Sequence, residues 1–473
     1  MKDQYDFIVI GGGSAGYAAA ATAAHAGLSV AVVEGGAEVG GLCILRGCMP
    51  SKTLIESANR YLTIRNAAEF GLRAGETSVH GDEIIARKKK LVDEFAAHRR
   101  GQLEHGEFDF IRGMAAFADA NTIEIADGSN PPIRIAGRSF LISTGSKEHR
   151  VTMPGLAEVG CLDSDAILDC QNIPDSVIVL GGGAIAMEFA HYYEGLGTHV
   201  TILQRSAHVL KEMDTDVSQA LESAFMKRGM QLCLNAALLR VDRNAGRKRV
   251  WFQHDGAEKS AEAGEIICAL GRVPCVDGVH PERAGIALEH GKLVCNARQQ
   301  TNVPHIFAAG DVAGPHEIVH IAIEQGELSA RNAARLVRGN SEPLEEMDYR
   351  LKLFAVFSEP QIASAGFTEK ELQKLRVPHS VARHPFDDHG KSMVMGETEG
   401  FVKLIAAEKT REILGAAVVG PHASDLIHEI VVAMYFRATA RDLSRVPHYH
   451  PTLSEIWTYP AFELAAGENY SPL

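Results

Sequence analysis

The chain has no excess of positive charge and no long uninterrupted apolar run. Its 473 residues include 47 Lys and Arg against 60 Asp and Glu, which gives a formal net charge of −13. Binding to a polyanion requires a dense basic surface, so nucleic acid is not expected as a partner. Glycine, proline or charge interrupts every stretch of about 18 residues that could span a membrane. We therefore expect a soluble protein without membrane contact.

Cysteine is also scarce and scattered. The chain has 8 cysteines in 473 residues, and all but two are isolated, unlike the framework of a secreted disulfide-rich domain. The first residues do not resemble a signal peptide, because Asp3 and Asp6 make them acidic and glycines break the apolar run that follows. A cytoplasmic location is predicted, where a close cysteine pair is more often catalytic or metal-binding than structural.

A strand–turn–helix–strand pattern occurs twice. The first copy runs from about residue 6 to Glu34 and the second from about residue 177 to Gln204, with the same 23-residue offset from first glycine to strand end. Glycines let the backbone approach a pyrophosphate at the positive end of the following helix. One such turn is a weak signal, but two in register predict two bound dinucleotides. The predicted contacts are Gly11, Gly13, Ser14 and Gly16 in the first copy and Gly181, Gly183 and Ala186 in the second.

The two copies differ where the second strand ends. Glu34 would accept hydrogen bonds from an unphosphorylated ribose. In the second copy Gln204 replaces the acid, and Arg205 and Lys211 follow, so a ribose 2'-phosphate would meet positive charge. We predict NADPH rather than NADH in this site. The alternative, that Arg205 and Lys211 are ordinary surface charges, stays open.

Two cysteines five positions apart, Cys43 and Cys48, follow the first copy. Cys48 is predicted to begin a helix, since Pro50 suits a first turn, and the helix dipole would favour its thiolate. Cys43 is expected on a loop that a substrate can reach. A metal site is not predicted, because this spacing without a third nearby Cys or His suits neither zinc nor an iron–sulfur cluster.

Together these motifs resemble the FAD-dependent pyridine nucleotide-disulfide oxidoreductases, the family of dihydrolipoamide dehydrogenase, glutathione reductase and mercuric reductase. The resemblance spans nearly the whole chain. Further matching segments are Pro50-Ser51-Lys52, Gly113 to Phe117, Glu188, Gly271-Arg272, Gly310-Asp311 and His450-Pro451-Thr452 with Glu455. The resemblance implies an α/β fold with two Rossmann-like dinucleotide-binding domains and a C-terminal α+β dimerisation domain. The implied boundaries are 1–147 and 272–346 for the FAD-binding domain, 148–271 for the NAD(P)-binding domain and 347–473 for the interface domain.

The resemblance also implies residue roles. Cys48 would face the flavin and Cys43 would attack the substrate. A dithiol relay needs a proton carrier, and His450, oriented by Glu455, is the candidate. In the family this histidine reaches the cysteines of the partner subunit, which implies an obligate homodimer. Further residues implied at the two cofactors are Lys52 paired with Glu188, Ala115, Thr144, Gly145, Ser146, Gly271, Asp311 and His320.

Several departures limit the substrate prediction. Leu42, Leu45 and Arg46 change the polarity around the dithiol, and their effect is open. Ala21 and Glu327 stand where glutathione reductases carry arginines, which disfavours glutathione disulfide. The last residues, Glu468 to Leu473, hold no cysteine pair of the kind mercuric reductases use.

The two-histidine form His448-Tyr449-His450 matches dihydrolipoamide dehydrogenases better, although those enzymes normally keep an acid at the position of Gln204. We therefore predict a reductase that passes hydride from NADPH through FAD to the Cys43–Cys48 disulfide and on to a small or lipoyl-type disulfide. A mercuric or glutathione reductase-like enzyme is the alternative within the family. A structural subunit of a multienzyme complex, or a flavin redox sensor without turnover, is the alternative of another class.

Overall fold

The computed structural model describes residues 1–466, so the segment 467–473 and the argument from its missing cysteines lie outside the described residues. The chain divides into two compact units. The first contains Met1–Thr53, Glu83–Arg150 and Gly271–Asp348, and the second contains Leu54–Asp82, Val151–Leu270 and the residues from Tyr349 onward. The second unit holds two separate large sheets, and the three predicted domain boundaries stay a prediction.

The first unit is built on a seven-stranded sheet. In spatial order its strands are Asp109–Arg112, Val30–Glu34, Gln4–Ile10, Ile133–Ile142, Thr122–Ala126 and Met114–Asp119, with Ile306–Ala308 also paired to Ile133–Ile142. The central pairings are parallel, with Phe7 opposite both Val30 and Ser139. Its longer helices are Ser14–His25, Gly81–Glu104 and Val319–Arg338. The first predicted nucleotide-binding unit is thereby confirmed as a strand–helix–strand element.

Two segments of this unit differ from what their sequence suggests. The segment 301–311 has the pattern of a buried strand that ends in Gly310 and Asp311, but the strand is limited to Ile306–Ala308, because Thr301 and Val303 form a turn. In that turn the Val303 N–H donates to the Thr301 hydroxyl and the Ile306 N–H donates to the Val303 carbonyl. The basic run Arg87-Lys88-Lys89-Lys90 has the pattern of a solvated helix face, but in the helix Gly81–Glu104 Lys88 is only 4% exposed.

The second unit contains a five-stranded parallel sheet and a three-stranded antiparallel sheet from its middle segment. The parallel strands, in spatial order, are Gln231–Cys233, His199–Leu203, Ser176–Leu180, Glu265–Cys268 and Leu162–Asp163. The antiparallel strands are Ala237–Asn244, Arg247–His254 and Ala257–Ala263. The helices Ala184–Gly195 and Thr215–Lys227 belong to this part. Its apolar strands are buried on both faces, as expected of a parallel sheet.

The C-terminal part of the second unit is α+β, as predicted. Its antiparallel strands, in spatial order, are Leu353–Val356, Gln361–Gly366, Ile413–Gly420, Phe401–Ala407 and His379–Pro385. Its helices are Glu369–Leu375, Gly390–Met395, Ala423–Tyr435, Ala440–Leu443 and Thr458–Ala466. Over residues 1–466, no helix combines the length and the apolar character that a bilayer crossing needs.

Candidate functional site

The first nucleotide loop is shaped by close backbone contacts. Gly11 has a φ of +102°, and a Cβ built there would lie 2.5 Å from the Ser143 carbonyl oxygen. A Cβ on Gly16 would lie 1.8 Å from the Gly11 carbonyl oxygen. Only glycine fits these positions, and the helix Ser14–His25 begins directly after Gly13. The free N–H groups of that first turn provide a pyrophosphate site.

Glu34 is fixed beside this loop. Its carboxylate accepts hydrogen bonds from the N–H groups of Gly12 at 2.8 Å and Gly36 at 2.7 Å. These bonds hold the acid at the carboxyl end of the strand Val30–Glu34, where a ribose would follow the pyrophosphate. The loop and Glu34 together fit the adenosine diphosphate half of FAD.

The structure brings together several of the residues predicted on the flavin side. The Ser146 hydroxyl donates to Asp311 at 2.6 Å, and Arg272 donates to the Ser146 hydroxyl at 2.9 Å. The Thr144 hydroxyl donates to the Cys275 carbonyl at 2.5 Å. Ala115 is buried in a strand of the same sheet, Gly145 has a φ of +71°, and His320 lies in the first turn of the helix Val319–Arg338.

Gln325 is a positioning residue that the sequence analysis missed. It is fully buried, and its amide oxygen accepts from the Gly310 N–H at 2.7 Å while its amide nitrogen donates to the Gly314 carbonyl at 2.8 Å. These two bonds fix the loop that carries Asp311. The sequence signal that could have identified it is a glutamine on the buried face of an amphipathic helix, because a buried polar side chain normally makes hydrogen bonds.

The dithiol segment packs directly on the first nucleotide loop. A Cβ on Gly41 would lie 2.6 Å from the Cα of Gly13. Cys48 begins the helix Cys48–Arg65, as predicted. Cys43, however, does not lie on a loop: it belongs to the one-turn helix Leu42–Leu45, because the Arg46 N–H donates to the Leu42 carbonyl at 2.8 Å.

The two cysteines are held as thiols in contact with each other. The hydrogen bond between the side chains of Cys43 and Cys48, together with burial, raises the pKa of Cys43. The backbone of Cys48 and the charge of Lys52 act in the opposite direction but do not cancel this effect. The contact with Cys48 therefore disfavours the thiolate of Cys43, and a nearby base would favour its formation.

Arg99 is a second residue that the sequence analysis missed. Its guanidinium carbon lies 4.2 Å from the centre of the Tyr17 ring, and it interacts electrostatically with Cys43. Burial lowers the pKa of Arg99, which nevertheless stays charged. Its Nη1 atom is buried and makes no hydrogen bond within residues 1–466. A cationic donor therefore lies near the dithiol with hydrogen-bonding capacity left over.

Two of the three unexpected residues around the cysteines have local contacts. Arg46 forms an exposed ion pair with Glu38 at 3.3 Å. The Leu45 side chain packs on Gly40, where a Cβ would lie 3.1 Å from the Leu45 Cγ. No contact of Leu42 explains why it replaces the residue usual in the family.

The second nucleotide loop repeats the geometry of the first. Gly181 has a φ of +115°, and a Cβ there would lie 2.3 Å from the Ala269 carbonyl oxygen. Ala186 is fully buried, whereas Gly183 borders open space. Gln204 lies against this loop. A Cβ built on the loop residue Gly182 would lie 2.7 Å from the Gln204 Cδ. This loop fits the pyrophosphate of a second dinucleotide.

The predicted 2'-phosphate residues lie beyond this loop. The Gln204 amide oxygen accepts from the Arg205 N–H at 3.0 Å. The side chains of Arg205 and Lys211 are exposed, and Lys211 pairs with Glu212 at 3.4 Å. The positive charge predicted at the strand end therefore lies at the surface. The binding of a ribose 2'-phosphate by these residues stays a prediction.

His450 and Glu455 form the predicted pair. The His450 Nδ1 lies 3.0 Å from one carboxylate oxygen of Glu455, and the His450 side chain is 79% exposed. The fully buried His389 places its Nε2 3.5 Å from the other oxygen, a contact that the sequence analysis missed. Burial lowers the pKa of His389, so this ring is neutral near neutral pH.

The remaining predicted site residues are Glu188 and Lys52. Glu188 accepts a hydrogen bond from the Phe357 N–H at 3.1 Å. Lys52 lies on the helix Cys48–Arg65 in the other compact unit, and its pairing with Glu188 stays a prediction. In the part of the chain that the structure describes, no group of three or more His, Cys, Asp or Glu side chains could hold a metal ion.

Comparison with known proteins agrees with this architecture. Residues 5–326 match the pyridine nucleotide-disulphide oxidoreductase family, and residues 354–461 match the dimerisation domain of the same family. The chain therefore belongs to the pyridine nucleotide-disulphide oxidoreductases, the class that two dinucleotide loops and an adjacent dithiol define.

Individual relatives are similar to the chain over nearly its whole length. The dihydrolipoyl dehydrogenase of Mycobacterium leprae is 34% identical over 95% of this chain and 96% of its own length. The dihydrolipoyl dehydrogenase of Chlamydia trachomatis is 32% identical over 98% and 97%. The solved structure of LpdA from Mycobacterium tuberculosis has a TM-score of 0.84 at 28% identity, covering 96% of this chain and 98% of that one.

A further solved structure, the HOCl-induced flavoprotein disulfide reductase RclA of Escherichia coli, has a TM-score of 0.83 at 27% identity and covers 97% of this chain and 99% of that one. The predicted enzyme class is confirmed: the chain is a dihydrolipoamide dehydrogenase-like flavoprotein disulfide oxidoreductase that uses FAD and a pyridine nucleotide.

The contact between the two thiols leads to a prediction for Cys48→Ser. Because the interaction with Cys48 is the largest cause of the raised pKa of Cys43, its loss should shift Cys43 ionisation to lower pH. The pH dependence of Cys43 alkylation by iodoacetamide, followed by peptide mass spectrometry of the reduced protein, measures this shift. Cys295, whose pKa burial raises to about 12, serves as internal control and should keep its profile. An unchanged profile for Cys43 would contradict the proposed interaction.

Proposed function

We propose that this enzyme uses NADPH to reduce a small disulfide of the lipoyl type. The dithiol turn packed on the first nucleotide loop through Gly41 and Gly13 carries this proposal, since it sets a redox-active pair beside the FAD site. FAD, when bound, transfers the two electrons of the nicotinamide hydride to the disulfide between Cys43 and Cys48. The near-full-length similarity to dihydrolipoyl dehydrogenases supports the substrate class.

The residues of the chain then have separate tasks. Cys43, as thiolate, attacks one sulfur of the substrate disulfide and releases the other as a thiolate, which takes up a proton. Cys48 next attacks the Cys43 sulfur, which restores the internal disulfide and releases the second thiolate. The raised pKa of Cys43 requires a base for the first step. His450 of the partner subunit, held by Glu455, is proposed as that base and as the acid that protonates the product.

The proton role of His450 leads to a prediction for His450→Ala. Flavin reduction by NADPH should proceed as in the wild type, whereas reoxidation by lipoamide should slow by roughly 100-fold or more, the usual contribution of general acid–base catalysis. Anaerobic stopped-flow absorbance separates the two half-reactions. The exposed His105, changed to Ala, provides a matched control. Equal losses in both half-reactions would refute the role.

Steady-state turnover separates the enzyme from the alternatives without turnover. A structural subunit or a redox sensor would bind FAD but would reduce neither lipoamide, glutathione disulfide nor Hg(II) in steady state. Turnover with lipoamide above that with the other two acceptors supports the proposed substrate class. Absence of turnover with every disulfide would remove the catalytic proposal.

The preference for NADPH is proposed from the charges that follow the second strand–helix–strand element. Gln204 brings no negative charge to the ribose, and the exposed Arg205 is available for a phosphate. The change Arg205→Glu should lower kcat/KM for NADPH by roughly tenfold or more, because hydrogen bonds to charged groups contribute about 1.5–3 kcal/mol. The value for NADH should change little. Comparable wild-type efficiency with both nucleotides, or no loss for NADPH in the variant, would show that the proposal is wrong.

Arg99 supports a further specification, an anionic group on the disulfide substrate. Its buried Nη1 has an unused donor near Cys43, and a carboxylate is the natural acceptor for a guanidinium. The change Arg99→Met keeps a long side chain but removes the charge. It should lower kcat/KM for lipoate roughly tenfold or more and leave the neutral lipoamide nearly unchanged. The exposed neighbour Arg100, changed to Met, is the control. Equal effects on both substrates would contradict a charge-recognition role.

A further inference from the structure

A lysine without solvent exposure lies in the C-terminal part of the second unit. Lys403, in the strand Phe401–Ala407, is fully buried. Its ammonium donates to Asp214 at 2.6 Å and to the two carboxylate oxygens of Asp216 at 2.9 and 3.1 Å. A buried ammonium needs such partners, because its transfer out of water is costly. The ion pairs therefore tie the C-terminal sheet to the segment at which the helix Thr215–Lys227 begins.

Asp214 is fixed by more than this ion pair. It is only 5% exposed, and the N–H groups of Glu369 at 3.1 Å and Lys370 at 3.0 Å also donate to its carboxylate. Burial opposes its ionisation, but the hydrogen bonds from Lys403 and from these N–H groups hold the pKa of Asp214 below its usual value. Asp214 is therefore held, as a charged carboxylate, by two elements of the C-terminal part.

The segment that ends at Asp214 contacts the second nucleotide loop. The Leu210 N–H donates to the carbonyl of the loop residue Gly182 at 2.7 Å. The Met213 N–H, next to Asp214 in the chain, donates to the Leu210 carbonyl at 2.8 Å. Two consecutive backbone hydrogen bonds thus link the neighbour of Asp214 to the loop that fits a pyrophosphate.

Leu210 has a strained backbone. Its φ is +46°, a conformation that a large side chain rarely adopts, and the residue is only 5% exposed. Such strain persists only where the surrounding structure enforces it. Before Leu210, the buried carboxylate of Glu222 accepts from the Val209 N–H at 2.9 Å. After it, the segment is held by Asp214 and Lys403, so both sides of the strained residue are anchored.

We propose that Lys403 is a positioning residue for the second dinucleotide. By fixing Asp214 it keeps Leu210 in the conformation that binds the Gly182 carbonyl, and the glycine loop then keeps the shape that fits a pyrophosphate. Lys403 itself does not touch the nucleotide. The inference rests on the proposed binding of a nicotinamide dinucleotide at this loop, but not on the preference for NADPH.

The first test observes the segment itself, in the full-length holoenzyme without nicotinamide nucleotide. Lys403→Met keeps a long side chain but removes the charge, so amide hydrogen exchange over residues 205–214 should become roughly tenfold faster or more. Mass spectrometry of peptides measures the deuterium uptake. Lys248→Met is the matched control, because it removes another lysine of this unit that is only 9% exposed and pairs with Glu265. Unchanged exchange over 205–214 in Lys403→Met, or an equal increase in Lys248→Met, would overturn the proposal.

The second test measures nucleotide binding. With ferricyanide as acceptor, the KM values for NADPH and for NADH should both rise roughly fivefold or more in Lys403→Met, while kcat changes less than about twofold. Calorimetric titration of the oxidised holoenzyme with NADP⁺ should show the same loss of affinity. Lys403→Arg keeps the charge and should recover affinity relative to Lys403→Met. Wild-type KM values in Lys403→Met would contradict the positioning role.

A second pair of variants keeps the test decisive if Lys403→Met does not fold. Asp214→Asn weakens the same link with little change in size and should raise KM in the same way, whereas Asp216→Asn leaves the bond between Lys403 and Asp214 and should not. A folded Asp214→Asn with wild-type KM would refute the proposal. Equal use of NADH and NADPH by the wild type would refute only the preference for NADPH, because the inference requires a raised KM for both nucleotides.

Discussion

The same close backbone contact occurs at the first glycine of both nucleotide loops, and the shape of each loop depends on it. In each unit, the residue that follows a strand paired with the first strand places its carbonyl oxygen in the space that a side chain would need at the first glycine of the loop. The Ser143 oxygen is 2.5 Å from the Cβ position of Gly11, and the Ala269 oxygen is 2.3 Å from that of Gly181. Any other residue would push the strand away, and the loop would lose the shape that fits a pyrophosphate.

The first loop also positions the dithiol segment. In the first unit the loop residue Gly13 is a surface on which Gly41 packs, so the one-turn helix holding Cys43 has a fixed place beside the FAD site. The dithiol segment is therefore held by the same loop whose glycines fit the pyrophosphate.

The sequence predicted the parts of this site that depend on local pattern. Two glycine turns between apolar strands, and Glu34 against Gln204 at the strand ends, are periodic features read within about 30 residues. The helix of Cys43 was missed because four residues are too short for a period. The contacts of Gln325 and His389 join distant segments through tertiary packing, and no spacing in the chain encodes them.

The two members of the acid–base pair, Glu455 and His450, differ sharply in burial. Glu455 is buried, with one carboxylate oxygen facing the neutral His389 and the other facing His450. The Glu455 carboxylate accepts a hydrogen bond from the His450 Nδ1, and this bond gives the outer ring a fixed orientation. Yet His450 is 79% exposed. His450 thus combines a fixed ring orientation with an open outer face, and its proposed role as proton carrier for the dithiol needs both properties.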